Sequence, residues 1–429
     1  MAGYLDSVAI IGAGLGGCAL GLALSARDIP VTIYESRSEV SGVNPSGVIL
    51  TPNGLRILDR LGVLERVKDR CYVTTSLIFL NEKGEVTKDI PWGGPEVHGY
   101  WNHRIWRGLL LDEMRLMLKE RNIPIHYDSK FNGIVSESSS DGIEFLINDD
   151  THQTSLLIGS DGIYSTLRTH LSPSTQPTYT GLLGILAHIP WSSVSWPSPD
   201  FPRNATLQGK PASIFWIAED PPSNPSPQIM VGLQTQHDQE LSRSDLESLQ
   251  NDKSRLLDFY KKGYNEHGPL AQKIIDAVEQ YKETLYIWPF MKMPKMENWY
   301  STKSGRIILV GDGAHALPPS SGQGVNQALE DAYSLVLILE QAAKEAKEEA
   351  SAGEGLLKAL EFWQKTRQDR IDAIYDWTTN TNNVNRLPEA ERQKLMKDGK
   401  IRVDEDRGWL FQCDYDEVVK DWAEKRKER

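Results

Sequence analysis

Residues 8–36 read VAIIGAGLGGCALGLALSARDIPVTIYES, and this stretch decides the fold. Val8 to Ile11 is an apolar run suited to a strand buried on both faces. Gly12, Gly14 and Gly17 then meet the pattern G-x-G-x-x-G. The first permits a tight turn, the second lets the backbone approach a pyrophosphate, and the third lets the next helix pack close to the sheet. That helix, expected over 16–26, aims its N-terminal N–H groups and dipole at the phosphates. A second strand over 29–34 ends at Glu35, about 20 residues on, where a carboxylate holds adenosine ribose hydroxyls. The unit is a dinucleotide binder. It does not separate NAD from FAD, because the run Glu35-Ser36-Arg37 suits both.

Two later segments carry that decision. In LLIGSDGIYSTLR (156–168), Leu156 to Gly159 forms a short buried strand and Asp161-Gly162 a sharp turn, with Ser165 and Arg168 on the next helical turns. In RIILVGDGAHALPPSSGQGVNQALEDA (306–332), a buried strand over Ile307 to Val310 closes on Gly311-Asp312. Gly322 and Gly324 then expose backbone N–H groups at the start of a helix. Its apolar stripe is Val325, Ala328, Leu329, Ala332, Leu335, Val336 and Leu339.

In this order, the three segments resemble the motifs of class A flavin-dependent monooxygenases, the para-hydroxybenzoate hydroxylase-like family. The likeness covers most of residues 8–340, and GQGVNQALEDA with WLFQCDYDEVVKDW (409–422) is similar to fungal salicylate hydroxylase-like members. It implies an α/β fold: a Rossmann-type FAD-binding lobe with a parallel sheet, an inserted mixed β-sheet substrate domain and C-terminal helices. By the same resemblance Asp161 belongs to a motif near the pyrophosphate, and Asp312 holds the ribityl chain. The helix beginning near Gly324 and Val325 places its positive end beside the N1/O2 edge of the flavin. The backbone near Gly47 and Val48, within 44–63, reaches the cofactor. Arg107, with Arg104 as the second choice, is the flavin-contacting arginine of a helix over 101–118. His315 structures its loop rather than serving as a base, and Pro318 walls the reactive edge of the ring.

The resemblance also implies the reaction. NADPH (or NADH) reduces FAD and leaves, O2 adds, and a C4a-hydroperoxyflavin hydroxylates an electron-rich aromatic or phenolic small molecule, with secondary metabolites among the candidates. A single G-x-G-x-x-G agrees with a reductant that has no domain of its own. No residue is fixed as catalytic. Arg203 and Trp216 are substrate-side candidates, with Gln208 and Gln234 beside them. An epoxidase or reductase on the same scaffold, or a non-catalytic FAD-binding redox sensor, stays open. The halogenase pattern W-x-W-x-I-P is absent.

Composition bounds the rest. At 429 residues the chain exceeds one core, so two lobes and an extension are expected. The expected FAD-binding lobe is discontinuous, over 1–80, 100–175 and 290–340. The substrate domain takes 81–99 and 176–289, and a helical extension takes 341–429. Within the insertion, 181–191, 212–220 and 228–236 read as strands and 241–264 as one surface helix, while 74–90 reads as a hairpin joining that sheet. A charged helix end and a flexible joint are expected over 341–355. The extension is anchored by Trp363, Trp377, Trp409 and Trp422. A net charge of −12 argues against nucleic acid or an anionic membrane as partner. Three scattered cysteines form no metal pattern and suit a reducing compartment. With neither a signal peptide nor a run of about 18 apolar residues, the expectation is a cytoplasmic protein without stable membrane association, monomer or dimer.

Overall fold

A computed structural model describes residues 3–40, 46–209, 212–348, 352–386, 394–395, 397–398 and 407–427. The expectations for Asn44 and Pro45, for 349–351 and for most of 387–406 lie outside the described residues.

Val8–Ile11 is buried along its whole length and is the middle of a five-stranded parallel sheet. The strand order is 307–309, 156–159, 8–11, 31–34, 125–126. Val8 pairs with Leu156 on one side and Val31 on the other, so all three glycine-bearing segments leave adjacent strands at the same edge. The Leu15–Ser25 helix packs between the Arg107–Glu120 and Gly324–Glu348 helices. Strands Phe131–Ser138, Gly142–Ile147 and Asp150–Thr154 form a small antiparallel sheet beside this lobe.

The insertion is a seven-stranded mixed sheet in the order 286–292, 178–190, 228–236, 214–218, 204–207, 76–80, 86–91. Its strands pair antiparallel except Asn204–Leu207 with Ser76–Leu80. Alternation gives it two faces. Leu183, Ile185, Ile214, Trp216 and Val231 meet the helices Lys253–Lys261 and Pro269–Gln280 in a second core. The opposite face carries Leu186, His188, Phe215, Met230, Gln234, Tyr286 and Phe290. A third sheet joins the lobes: Gly47–Leu50 and Tyr72–Thr74 flank Asn102–Trp106, all antiparallel.

Several boundaries differ from those expected. Ser76–Leu80 hydrogen-bonds with Asn204–Leu207, so the inserted sheet begins before 81, and Tyr286–Lys292 carries it past 289. Residues 95–99 leave that sheet: Arg56 donates to the His98 carbonyl, and the His98 ring meets Phe411. The helix expected over 101–118 starts at Arg107, because Asn102–Trp106 alternates between two packed sides as a strand does. The single helix over 241–264 breaks at Asp252, whose side chain caps Lys253–Lys261 by accepting from Arg255 N–H. The C-terminal part holds helices Ala352–Arg386, Gly408–Phe411 and Tyr415–Lys427; Trp363 is buried, and Trp377, Trp409 and Trp422 pack on the first core.

Candidate active site

The first loop uses its glycines in two ways. Gly12 has φ +102°, and a Cβ there would overlap the Ser160 carbonyl; a Cβ on Gly17 would overlap the Gly12 carbonyl. Gly14, at the head of the helix, has an ordinary φ of −77° and no protein atom within 4 Å of a Cβ position. Gly12 and Gly17 therefore build the turn, and Gly14 keeps one side of it open. Glu35 accepts from Ala13 N–H and Arg37 N–H, both at 2.9 Å, which fixes the carboxylate beside the loop. Arg115 donates to the Ala13 carbonyl at 3.1 Å, and its Nε is buried without a partner.

The other two motifs touch each other. Asp161 Oδ2 accepts from Thr166 and Leu167 N–H, while its Oδ1 is buried and unpartnered. Arg168, buried, donates to the Gly313 carbonyl at 3.2 Å. Burial lowers the Arg107 pKa, Asp312 raises it and Arg37 lowers it, so these three charges share one locality. Asp312 opens to solvent at its edge, yet enough protein surrounds it that desolvation raises its carboxyl pKa, with His315 and Arg107 pulling it back. Arg107 N–H also donates to the Ser46 carbonyl at 2.7 Å.

The third loop turns at Gly322 (φ +62°), and Gly324 starts the long helix with open space at its Cβ position. Val325, the next residue, packs on the first core, as does Val48 in the facing strand. Asn326, fully buried, donates to the carbonyls of Ile49 and Gly322 and accepts from Thr51 N–H. It stitches the Gly47–Leu50 strand to this loop. His315 Nε2 lies 2.5 Å from Asp331 Oδ2, which also accepts from Gly311 N–H, so the histidine is held in loop architecture. Pro318 leads into the Pro319–Ser321 turn and accepts from Ser321 N–H.

These residues fit FAD. Gly14, Gly162 and Gly324 all leave open space at their Cβ positions. Arg37 and Arg107 supply positive charge, and the orphaned Asp161 oxygen is an acceptor awaiting a donor.

The inserted sheet supplies a carboxylate that sequence reasoning missed, Glu219, and it takes Arg104, the second-choice flavin arginine, into a buried pair. Arg104 makes a two-pronged pair with Glu219, Nη2 to Oε1 at 2.8 Å and Nε to Oε2 at 3.2 Å, and Glu219 is fully buried. A side chain at Gly47 would collide with that carboxylate. Burial pushes Glu219 up, and Arg104 pulls it down. His188 lies 4.5 Å from the Trp106 ring and stacks on Tyr286 at 5.8 Å; its Nε2 is 4.0 Å from Glu219. Neither ring nitrogen has a partner, and burial, with Arg104 beside it, lowers its pKa to about 3. Gln234 shares this face, its Nε2 buried and unpartnered. The two substrate-side candidates fall elsewhere. Trp216 faces the helix-packed core, donating to the Pro202 carbonyl and packing on Trp196 and Phe201. Arg203 lies over Trp191 at that core's edge. Strand alternation sends position 216 away from the lobe, and no local pattern reveals that parity.

Against known proteins, residues 6–257 and 289–361 match the model of the FAD binding domain family. The chain belongs to that family. It is an enzyme of the FAD-dependent monooxygenase type. Among relatives, 6-methylsalicylate 1-monooxygenase of Aspergillus terreus is 26% identical over 369 residues, 78% of this chain and 75% of its own. The 6-hydroxynicotinate 3-monooxygenase of Pseudomonas fluorescens is 23% identical over 425 residues, 95% of this chain and 94% of its own. Klebsiella pneumoniae HpxO, solved with FAD and uric acid, shares the fold with a TM-score of 0.74 at 18% identity, covering 99% of this chain and 98% of that one. Among the described residues no helix is long and apolar enough to cross a membrane, and no three His, Cys, Asp or Glu residues are grouped to hold a metal.

Proposed function

We propose that this enzyme hydroxylates a phenolic or otherwise electron-rich aromatic small molecule: substrate, O2, NADPH (or NADH) and a proton give hydroxylated product, water and oxidised nicotinamide. The observation that carries the reading is one juxtaposition. The three cofactor loops meet, across the Gly47–Leu50 and Asn102–Trp106 strands, an aromatic sheet face that holds a buried ion pair and unpartnered polar groups. Both relatives named above act on ring-hydroxylated or methylated aromatic acids by name, which supports the substrate class.

Bound FAD supplies two-electron reduction by NAD(P)H and activation of oxygen. The chain supplies the remainder. Gly12 and Gly17 shape the turn in which Gly14 lets the pyrophosphate reach the head of the Leu15–Ser25 helix, Glu35 takes the adenosine ribose, and Asp312 takes the ribityl hydroxyls. Arg37, Arg107 and Asp161 complete the phosphate and ribityl contacts, with the Val48 backbone, Pro318, Gly322 and the Gly324–Val325 helix start around the ring. The seven-stranded sheet excludes water from the reacting carbon. Gln234 offers an N–H to a substrate oxygen, and neutral His188 offers an acceptor to a phenolic O–H. We further propose a cytoplasmic protein, monomeric or dimeric, whose partner is its small-molecule substrate.

The test is a panel of phenols and hydroxylated aromatic acids incubated with the yellow holoenzyme, NADPH and labelled dioxygen. Stimulated NADPH oxidation with one labelled oxygen atom in the ring product is expected. Stimulated oxidation yielding only hydrogen peroxide would make the protein a reductase; label at an alkene would make it an epoxidase. No turnover with any member of the panel, with FAD tightly held, would favour a redox sensor.

A further inference from the structure

The C-terminal helix Ala352–Arg386 sends one fully buried arginine into the flavin lobe. Arg367 Nε donates to Asp331 Oδ1 at 2.7 Å, Nη1 to Glu330 Oε2 at 2.5 Å, and Nη2 to Gln327 Oε1 at 2.7 Å. It also meets the Tyr415 hydroxyl. All three acceptors lie on the Gly324–Glu348 helix, and each passes the constraint onward. Asp331 Oδ2 accepts from Gly311 N–H at 2.7 Å and lies 2.5 Å from His315 Nε2, so it fixes both ends of the turn that carries Asp312. Glu330 Oε1 accepts from Asn53 at 2.6 Å. Gln323, held to Asn53 and Gln327, donates to Thr51 Oγ1 at 3.0 Å, at the end of the Gly47–Leu50 strand. Arg367, Glu330, Asp331, Gln327, Asn53 and Gln323 are each at most 2% exposed.

Arg367, with Arg370 forking onto Glu330 beside it, thus ties together two segments of the candidate cofactor site: the Gly311–His315 turn and the Gly47–Thr51 segment. Two acids side by side on a helix would repel each other in the interior; a planar fork with fixed donor directions holds both and sets their spacing. Lysine, a compact ammonium on a flexible stem, lacks that planar fork and its fixed donor directions. We propose that Arg367 is a positioning residue for FAD: it acts through Asp331 and Glu330 to hold both walls of the flavin groove at their binding separation. A structural helix thereby becomes part of the cofactor site without touching the cofactor.

The experiment measures FAD dissociation constants by quenching of flavin fluorescence, together with the fine structure of the bound flavin absorption bands. The proteins are wild type, Arg367→Lys, Arg367→Met and Arg60→Gln, at a temperature where circular dichroism shows each one folded. Arg60 pairs with Asp414 and Asp416 and so tethers the same C-terminal segment without touching Glu330 or Asp331. Arg367→Lys is expected to weaken FAD binding roughly 10- to 100-fold, the scale seen when residues supporting a binding site's direct ligands are changed, and to blur the band structure. Arg60→Gln is expected to stay within about twofold of wild type, since exposed pairs contribute little. If Arg367→Met does not fold, Arg367→Lys alone decides. Folded Arg367→Lys protein with wild-type affinity and spectrum would overturn the proposal, and so would an equal loss in Arg60→Gln, which would assign the effect to general C-terminal packing.

Discussion

The parallel-sheet lobe and the inserted seven-stranded sheet build function from different parts of the chain. In the lobe the working positions are backbone positions at strand ends: Gly12 turning at φ +102°, Gly14 open on one side, Gly322 turning before a helix start. In the inserted sheet the proposed ones are side chains on one face of strands: His188, Gln234 and Tyr286. At Gly12 and Gly17 an added atom would collide with backbone, which cannot yield. A side-chain site tolerates exchange at a graded cost. The lobe should therefore fail abruptly under substitution, and the inserted sheet by degrees.

The most severe test is Gly17→Ala. Its Cβ would overlap the Gly12 carbonyl, and neither backbone can yield without moving the central strand. Loss of folded holoprotein is expected, at a cost of about 3 kcal/mol or more. Gly14→Ala is the matched partner: with open space at its Cβ and an ordinary φ, it should melt like wild type without FAD yet bind FAD far more weakly. Equal melting losses in the two variants would erase the division between turn-building and ligand-facing glycines.

Within the inserted sheet the largest effect belongs to Glu219→Gln. It leaves Arg104 buried without its countercharge, a change of about 3 kcal/mol or more in chemical denaturation. The exposed pair of Arg243 and Glu247 should contribute about 0.5 kcal/mol or less when broken.

His188 gives a smaller, pH-dependent effect. Its folded pKa is about 3 against an ordinary 6.5, so between those values the unfolded chain binds the proton and the folded one does not. Stability is full above pH 6.5 and falls as pH drops toward 3, by about 1.4 kcal/mol per pH unit for one such group. His188→Phe should remove that slope over the same range. Glu330, which burial raises but Arg370 and Arg367 bring down to about 2, has the same sign in a lower window: its contribution is full above about 4.5 and is lost as pH falls through 2. An unchanged slope in His188→Phe between pH 6.5 and 3 would show that this histidine takes up its proton in the fold.

The lobe was largely legible in the sequence because its demands are local. A strand, a turn needing positive φ and a helix start fall within a dozen residues, and the glycines mark them. The same holds for Asp161 and Asp312, which sit at the next strand ends. The Arg104–Glu219 pair was not legible: its members are 115 positions apart and meet only when two sheets pack. Arg367 and Asp331 illustrate the same limit across 36 positions. Trp216 failed for a subtler reason. The strand over Ile214–Ala218 was correctly placed, but which of its two faces meets the lobe depends on the register of its neighbours, and hydrophobic content on both faces hides the parity.

Parity also shapes the mildest prediction. Gln234 pairs in register with Gly184, on the same face as His188 and Phe215, and its Nε2 is buried with no acceptor. If that N–H is completed by a substrate oxygen, Gln234→Leu removes a neutral hydrogen bond made in both ground and transition states. The loss is about 1 kcal/mol, or roughly a fivefold rise in KM with kcat nearly unchanged. Gln234→Glu removes the donor and adds a charge, so its penalty should exceed that of leucine. Trp216→Phe, on the far face, should lower the melting temperature through lost packing and leave KM within about twofold of wild type. A KM rise in Trp216→Phe without one in Gln234→Leu would reverse the assignment of faces. The two variants differ by one strand pairing and one pleat, so together they locate the substrate on one side of the sheet.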